Sequence, residues 1–206
     1  MEQASEKIRR RYDRAARFYD LFESPMEMMA LKKWRIEIMK ELKGKVLEVG
    51  VGTGKNIEYY PEKIEITAID FSEKMLEKAK EKAKKFNKKV AIMSMDVQNL
   101  DFSDNTFDTV FTTCVFCSVP DPIKGLEEMR RVCKPTGKII MIEHVRSEGK
   151  VLGFIMDVLN PLVVNTYGAN INRRTVENIY LSGYTNVEVT NLSSDILKKI
   201  VIYNEK

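Results

Sequence analysis

The middle of the chain is built from short apolar runs that do not alternate with polar residues. Five follow one another: Lys45 to Gly50 (KVLEVG), Glu65 to Asp70 (EITAID), Val90 to Asp96 (VAIMSMD), Thr109 to Val119 (TVFTTCVFCSV) and Lys138 to Val145 (KIIMIEHV). A strand with one wet face alternates apolar and polar side chains, whereas a strand buried on both faces reads as a continuous apolar run. Burial on both faces is the habit of a parallel sheet covered by helices, and helical patterns do lie between the runs. Ser72 is placed to cap a helix running to about Asn87, with Met75, Leu76, Ala79, Ala83 and Phe86 on one stripe and lysines on the other face. Pro122 opens a second helix, with Ile123, Leu126, Met129 and Val132 inward, and Lys134 to Gly137 turns the chain into the next strand. Such repetition implies right-handed crossovers and a doubly wound α/β sheet.

The two ends depart from this rhythm. Residues 1–40 read as helix, with Ile8, Tyr12, Ala15, Phe18, Tyr19 and Phe22 set among Arg9, Arg10, Arg11, Arg14 and Arg17. Residues 147–172 carry Gly149, Gly153, Pro161 and Gly168 and read as an insertion over the rim of the sheet. Thr175 is placed to cap a last helix ending at Gly183, before two strands, Asn186 to Leu192 and Ile196 to Tyr203.

The 206 residues suffice for one domain with its own core, with no call on disulfides or metal. A content of 44% hydrophobic and 31% charged residues excludes a disordered chain, a collagen-like chain and a coiled-coil rod. The longest central run without a charge, Thr109 to Pro120, is 12 residues. A spanning helix needs about 20. The opening Met-Glu-Gln-Ala-Ser-Glu-Lys has no apolar signal core, and three cysteines without metal-ligand spacing suit a reducing compartment. The expected location is therefore cytoplasmic. A balance of 34 basic against 30 acidic residues leaves +4, too small an excess to argue for nucleic acid.

Between the first strand and the next helical turn stands Glu48-Val49-Gly50-Val51-Gly52-Thr53-Gly54. Glycines there permit a tight turn and close approach of backbone to a ligand at a helix N-terminus. A phosphate-binding P-loop would need glycine at 49 and Ser or Thr at 56, where the chain has Val49 and Asn56. A dinucleotide fingerprint starting at Gly50 would need glycine at 55 and meets Lys55. The pattern acidic-x-Gly-x-Gly-x-Gly fits without a gap; a turn with no ligand is the plain alternative. Asp70 ends the second strand, 20 residues after Gly50. A carboxylate there can accept from both ribose hydroxyls of a nucleoside, or interact with the dipole of the helix that follows. Asp96 ends the third strand, where it can take an adenine amino group or serve as a turn residue. Cys114 and Cys117, three apart in a predicted strand, fall on opposite faces, which argues against a redox or zinc pair.

The loop EVGVGTG, the acid in AIDFSEKML, MDVQNLDFSDNTFD and RRVCKPTGKIIMIEH together resemble the class I S-adenosylmethionine-dependent methyltransferases. The resemblance is strongest over residues 45–145. It implies a Rossmann-like seven-stranded sheet, mostly parallel with the last strand antiparallel, helices on both faces and an N-terminal helical cap. It divides the single domain 1–206 into a cap (1–40), a cofactor-binding core (41–145) and a substrate-side insertion with the C-terminal strands (146–206). It implies S-adenosylmethionine as cofactor and S-adenosylhomocysteine as product. By carry-over, Glu48, Gly50, Gly52, Gly54 and Asn56 attend the methionine part, Asp70 the ribose, and Phe71, Met75, Asp96 and Val97 the adenine. Thr113, Cys114 and Tyr19 lie near the methyl group.

The flanks bear on the acceptor. Tyr12-Asp13-Arg14-Ala15-Ala16-Arg17-Phe18-Tyr19-Asp20 resembles the opening of the quinone C-methyltransferases and of bacterial phosphatidylethanolamine N-methyltransferases. CSVPDPIKGLEEMRRVCKP, Glu143-His144-Val145-Arg146-Ser147, Asn160-Pro161 and Asn172-Arg173-Arg174-Thr175 resemble the phospholipid group and membrane-associated thiol methyltransferases. This implies a lipid-like amine acceptor, with quinone carbon or a small thiol as alternatives. A non-catalytic S-adenosylmethionine-binding module is the rival of another class. A nicotinamide oxidoreductase is a second rival, opposed by Lys55.

His144, the one histidine, is of the residue type whose unperturbed side chain can accept a proton near neutrality, or it shapes the pocket. Tyr12 and Tyr19 can orient an amine or pack the core. Arg146, Arg173 and Arg174 can clamp a phosphate or form a solvated face. The basic N-terminal helix can lie on an anionic membrane or close over its own site. The apolar stretch Val151 to Val164 can be a second membrane contact or a pocket wall.

Overall fold

In the computed structural model the described residues are 2–15 and 25–206, with side chains described for 6, 8–13, 31–166 and 168–206. The elements run α1 (Glu2–Ala15), α2 (Pro25–Glu41), β1 (Lys45–Val49), a 3-10 turn (Ile57–Tyr59), β2 (Glu65–Asp70), α3 (Glu73–Lys85), β3 (Ala91–Ser94) and β4 (Phe107–Thr113). They continue as α4 (Pro122–Val132), β5 (Cys133–His144), α5 (Lys150–Tyr167), α6 (Thr175–Leu181), β6 (Val187–Ser193) and β7 (Leu197–Tyr203). The seven strands stand in the order β3-β2-β1-β4-β5-β7-β6. β1 pairs in parallel with β2 and β4, as do β2 with β3 and β4 with β5. β7 enters antiparallel between β5 and β6.

The non-alternating runs are explained by two cores, one on each face. Leu47, Val49, Val110, Ile139 and Met141 pack with Leu126, Met129 and Val132 of α4 and Ile179 of α6. On the other face, Val46, Ile66, Ala68, Phe111, Ile140 and Ile142 pack with Ile38 and Met39 of α2, Leu42 just beyond its end, and Leu76, Ala79 and Ala83 of α3. Successive side chains of a strand point to opposite faces, so each buried strand feeds both cores. The helix starts follow their caps. Ser72 accepts from Met75 N at 3.3 Å, and Asp121 accepts from Lys124 N at 3.1 Å with Pro122 in the first turn.

Several boundaries differ from the sequence reading. The fourth strand stops at Thr113, because Cys114 takes φ +58° and turns the chain. Cys117 therefore sits in a turn and not on a strand face, and its Sγ lies 3.6 Å from Cys114 O. β5 begins at Cys133, which pairs Phe107 before the register slips and Thr109 meets Lys138. The glycine-bearing stretch 147–172 contains an 18-residue helix, α5, which ends on Gly168 at φ +83°. Arg174, not Thr175, is the cap residue of α6, and it caps without a side-chain bond. Among the described residues no helix is long and apolar enough to cross a membrane.

Strand order reverses direction between β1 and β4, and this switch point opens a crevice at the strands' carboxyl ends. The glycine loop fills one side. Gly54 takes φ +79°, and a Cβ there would stand 2.7 Å from Ile57 Cδ1 and 3.0 Å from Ala79 Cα. Its missing side chain lets the loop seat on α3. Gly54→Ala is expected to lower stability by about 1–3 kcal/mol, from left-handed strain plus that clash. Urea unfolding gives the value, and an unchanged midpoint would remove Gly54 from this packing role.

Candidate active site

A cavity lies over the carboxyl ends of β1, β2, β3 and β4, with about 960 Å³ of non-atom space, part of it open to solvent. Its floor is Val49, Gly50, Val51, Gly52 and Thr53. One wall is Ile69, Asp70, Phe71 and Met75; another is Met95, Asp96 and Val97. Thr113, Cys114 and Val115 close the β4 side, followed by Ser118, Val119 and Pro120. From the helical cap come Tyr12 of α1 and Leu31 and Arg35 of α2. The lining is mostly apolar with a few polar groups, the usual make-up of a small-molecule site.

Asp70 is the polar pivot of the loop. Gly52 N donates to its Oδ2 and Ser72 N to its Oδ1, both at 2.9 Å. Burial pushes its carboxyl up to about 6, against the pull of those backbone donors. The backbone N–H of Phe71 also bears on the carboxylate, which keeps acceptor capacity for a further donor. Gly52 takes φ +53°, and no atom lies within 4 Å of where its Cβ would be, so the backbone there faces open space. Asp96 is engaged by its own neighbour: Gln98 donates from N at 2.9 Å, and Nε2 lies within 3.0 Å of both carboxylate oxygens.

Behind the floor runs a buried polar network. Arg35 Nη1 donates to Asn56 Oδ1 at 2.7 Å and to Thr113 Oγ1 at 3.0 Å. Asn56 Nδ2 donates to Glu48 Oε1 at 2.6 Å and to Thr113 Oγ1 at 3.1 Å. Tyr60 donates its hydroxyl to the other Glu48 oxygen. Glu48 is wholly buried, and burial pushes its carboxyl up to about 8. A second buried acid, Glu143 of β5, holds the turn after β4. It accepts from Thr112 Oγ1 at 2.7 Å and from the backbone N–H groups of Val115 and Phe116 at 3.1 Å. Its carboxyl is raised to about 7, again chiefly by burial.

Three consecutive residues of α1 fasten the cap. Arg11 Nη1 donates to Val164 O at 2.6 Å, Tyr12 shares a hydrogen bond with Ser118 Oγ, and Asp13 Oδ1 accepts from Ser72 Oγ at 2.6 Å. The Tyr12 ring meets Phe71 edge-on, with centroids 5.9 Å apart. Burial raises the Tyr12 phenol well above its ordinary value, so it stays neutral.

The structure gathers Tyr12, Gly50, Gly52, Asp70, Phe71, Met75, Asp96, Val97, Thr113 and Cys114 around one cavity. Glu48, Gly54 and Asn56 stand behind it, outside the lining; they hold the loop rather than face the space. Tyr19 lies outside the described residues. His144 is also outside the lining: it ends β5 and pairs with Leu197, one strand removed from the crevice. Arg146, Arg173 and Arg174, expected as a phosphate clamp, are also outside the lining, and each has a partner within the protein. Arg146 grips Asp157 at 2.8 to 3.1 Å, Arg173 donates to Val119 O at 2.8 Å, and Arg174 pairs with Glu177 at 3.0 Å. Arg35 was missed by sequence reading, and Glu143 was noted only within the Glu143–Ser147 motif, without its anchoring role. Arg35 sits in a helix among Lys32, Lys33 and Lys40 with no motif around it, and Glu143 reads as one more residue of a strand.

The raised carboxyls set a pH dependence. Glu48 and Glu143 ionise in the unfolded chain near 4.5 and in the folded protein only near 8 and 7. Between those values the folded state holds more protons, so stability falls as pH rises. The free energy of urea unfolding is expected to decline from about pH 4.5 to about pH 8. Glu48→Gln should flatten the upper part of that decline. A variant that keeps the full slope would show that Glu48 does not titrate in this window.

Residues 47–141 match a family model described as a methyltransferase domain. A phosphatidylethanolamine N-methyltransferase of Cereibacter sphaeroides is 41% identical over 103 residues, covering 49% of this chain and 51% of that protein. A demethylmenaquinone methyltransferase of Staphylococcus haemolyticus is 37% identical over 133 residues, 61% of this chain and 55% of that one. The chain thus spans about half the length of the curated relatives it matches. Among solved structures, a SAM-dependent methyltransferase of Thermotoga maritima, described as a possible histamine N-methyltransferase, superposes with a TM-score of 0.73. It is 20% identical and covers 96% of this chain and 100% of its own. With the strand order, the crevice and the glycine loop, these matches identify the chain as carrying a methyltransferase domain, residues 47–141, on the fold of the S-adenosylmethionine-dependent methyltransferases.

Proposed function

We propose that this protein transfers a methyl group from S-adenosylmethionine to a small lipid-like acceptor, a phospholipid amine before a quinone carbon or a small thiol. The observation that carries the methyl-transfer reading is the cavity itself. Open backbone at Gly52, a buried carboxylate at Asp70 and the apolar side chains of Phe71, Met75 and Val97 suit a nucleoside. Arg35 and Lys55 in the lining suit its anionic amino-acid end. Glu48, with its carboxyl raised above neutrality, leaves the Arg35 charge largely uncancelled. S-adenosylmethionine supplies the electrophilic methyl group. The chain's own part is to hold the cofactor through Asp70, orient the acceptor through Tyr12 and Ser118, and exclude water with the cap. The apolar outer wall of Leu31, Val115, Val119 and Pro120 favours an acceptor with hydrocarbon near its nucleophile. The similarity to a phosphatidylethanolamine N-methyltransferase favours an amine, and that to a quinone enzyme keeps the alternative in view. The same reading places the protein in the cytoplasm, in peripheral contact with an anionic membrane.

Labelled S-adenosylmethionine offered with phosphatidylethanolamine vesicles, demethylquinones and small thiols tests the acceptor. Label in the lipid amine is expected. Label in the quinone or thiol alone would replace it, and cofactor binding with no transfer would leave a non-catalytic module. Asp70→Ala should weaken S-adenosylmethionine binding by about 1–3 kcal/mol in calorimetry, since it removes a charged hydrogen-bond acceptor; unchanged affinity would remove Asp70 from the ribose role.

With His144 outside the lining, the acceptor's proton is taken by water or lost before binding. His144→Ala is expected to keep kcat within a few fold, while Tyr12→Phe lowers it by about tenfold or more. A loss of about 10²-fold or more in the histidine variant, with cofactor affinity intact, would restore His144 as the base.

A further inference from the structure

Helix α5 is built inside out. Its inward residues are small or polar: Gly153 and Met156 are buried, and Asp157 and Asn160 are half-buried. Arg146 and Asn172 hold Asp157, and Asn160 bonds Asn170 at 3.2 Å and Ile171 N at 2.9 Å. Its outward residues are apolar: Val151, Leu152, Phe154, Ile155, Val158, Leu159 and Leu162 are between 43% and 75% exposed. The spacing i, i+3, i+4, i+7, i+8, i+11 sets them in one stripe of about three turns, about 17 Å long. Among the described residues, the other large apolar side chains in that range are Tyr180 and Leu181, with Val189 just below it. A helix of a water-facing protein normally turns the stripe the other way, and a patch of this kind marks a contact surface.

From this face we infer that α5 is the surface by which the protein docks on an anionic lipid bilayer. Charge argues for that occupant. The one acid in α5, Asp157, is neutralised by Arg146. Exposed Lys150 opens the helix, and at its far end the basic α1 lies alongside, tied by Arg11 to Val164 O. There Arg9 and Arg10 pair with Glu6, and α1 as a whole carries five basic residues against three acidic ones. An apolar stripe bordered by cations lies in the interface of a bilayer, with its side chains among the acyl chains and the cations among the headgroups. Position argues for it too. α1 and Asn170 connect α5 to the cavity rim, through Tyr12 and through the bonds of Asn170 to Cys117 O at 2.8 and 3.0 Å. Docking would therefore bring the cavity's mouth to the lipid surface. This inference rests on the peripheral-contact part of the functional reading and names the surface responsible.

Co-sedimentation with vesicles of phosphatidylglycerol and phosphatidylcholine tests it, using the whole chain. Phe154→Ser and Leu162→Ser are each expected to cut the partition coefficient about tenfold, from the apolar area withdrawn. Leu181→Ser, on α6, should leave it unchanged. Phe154→Trp should show fluorescence quenched by bromine-labelled lipid beyond the contribution of Trp34. The substituted positions are exposed, and unaltered circular dichroism confirms the fold. If the wild-type protein binds vesicles but the α5 variants bind equally and the new tryptophan is not quenched, α5 is not the docking face and the inference falls alone. If the wild-type protein binds no vesicles, peripheral contact itself falls. A lipid-free dimer that Phe154→Ser dissolves, seen by sedimentation, would assign the face to a second copy of the chain and overturn the inference.

Discussion

A single guanidinium holds the active-site region together. Arg35 leaves α2, crosses into the sheet and meets Asn56 and Thr113, which belong to the glycine loop and to β4. Asn56 hands the network on to Glu48 of β1, and Tyr60 closes it from the far side of the loop. Buried polar groups cost free energy unless satisfied, so the network has one low-energy arrangement. That arrangement fixes the ends of β1 and β4 relative to each other, at the point where the sheet's strand order reverses. The crevice between them is shaped in part by these bonds.

A second layer of control is carboxylate on backbone. Asp70 grips the glycine loop and the start of α3, and Glu143 grips the turn after β4. Each takes N–H groups that no strand or helix satisfies, as a bound anion does at a helix start. The cavity is thus bounded by two loops, each anchored by an acid from the neighbouring strand. Sequence spacing reveals the first, because Asp70 ends an apolar run. Nothing in the spacing reveals the second.

The sheet was legible because burial on both faces leaves a mark on every central strand. Runs such as KIIMIEH could hardly serve elsewhere. The Ser72 cap and the α4 start were legible because caps are local chemistry. What depends on partners distant in sequence was not. The end of β4 is decided by Cys114 adopting a left-handed conformation under the hold of Glu143, about 30 residues away. α5 was masked by its glycines and proline and by an amphipathicity that faces outward. The arginines that looked available in sequence are used by Asp157, by carbonyls of the β4 turn and by Glu177. His144 was singled out by its chemistry, and chemistry alone does not say which strand end faces the crevice.

The cap over the cavity is attached in an unusual manner for so apolar a site. Arg11, Tyr12 and Asp13 reach to α5, to the β4 turn and to α3, each through a hydrogen bond, with one edge-on ring contact beside them. Water can replace each of those bonds, but not the packing of the largely buried Tyr12 ring against Phe71. Heat-capacity change follows apolar exposure. Lifting this part of α1 should therefore carry a heat-capacity increment of its own, and the balance between the seated and the lifted rim should shift with temperature.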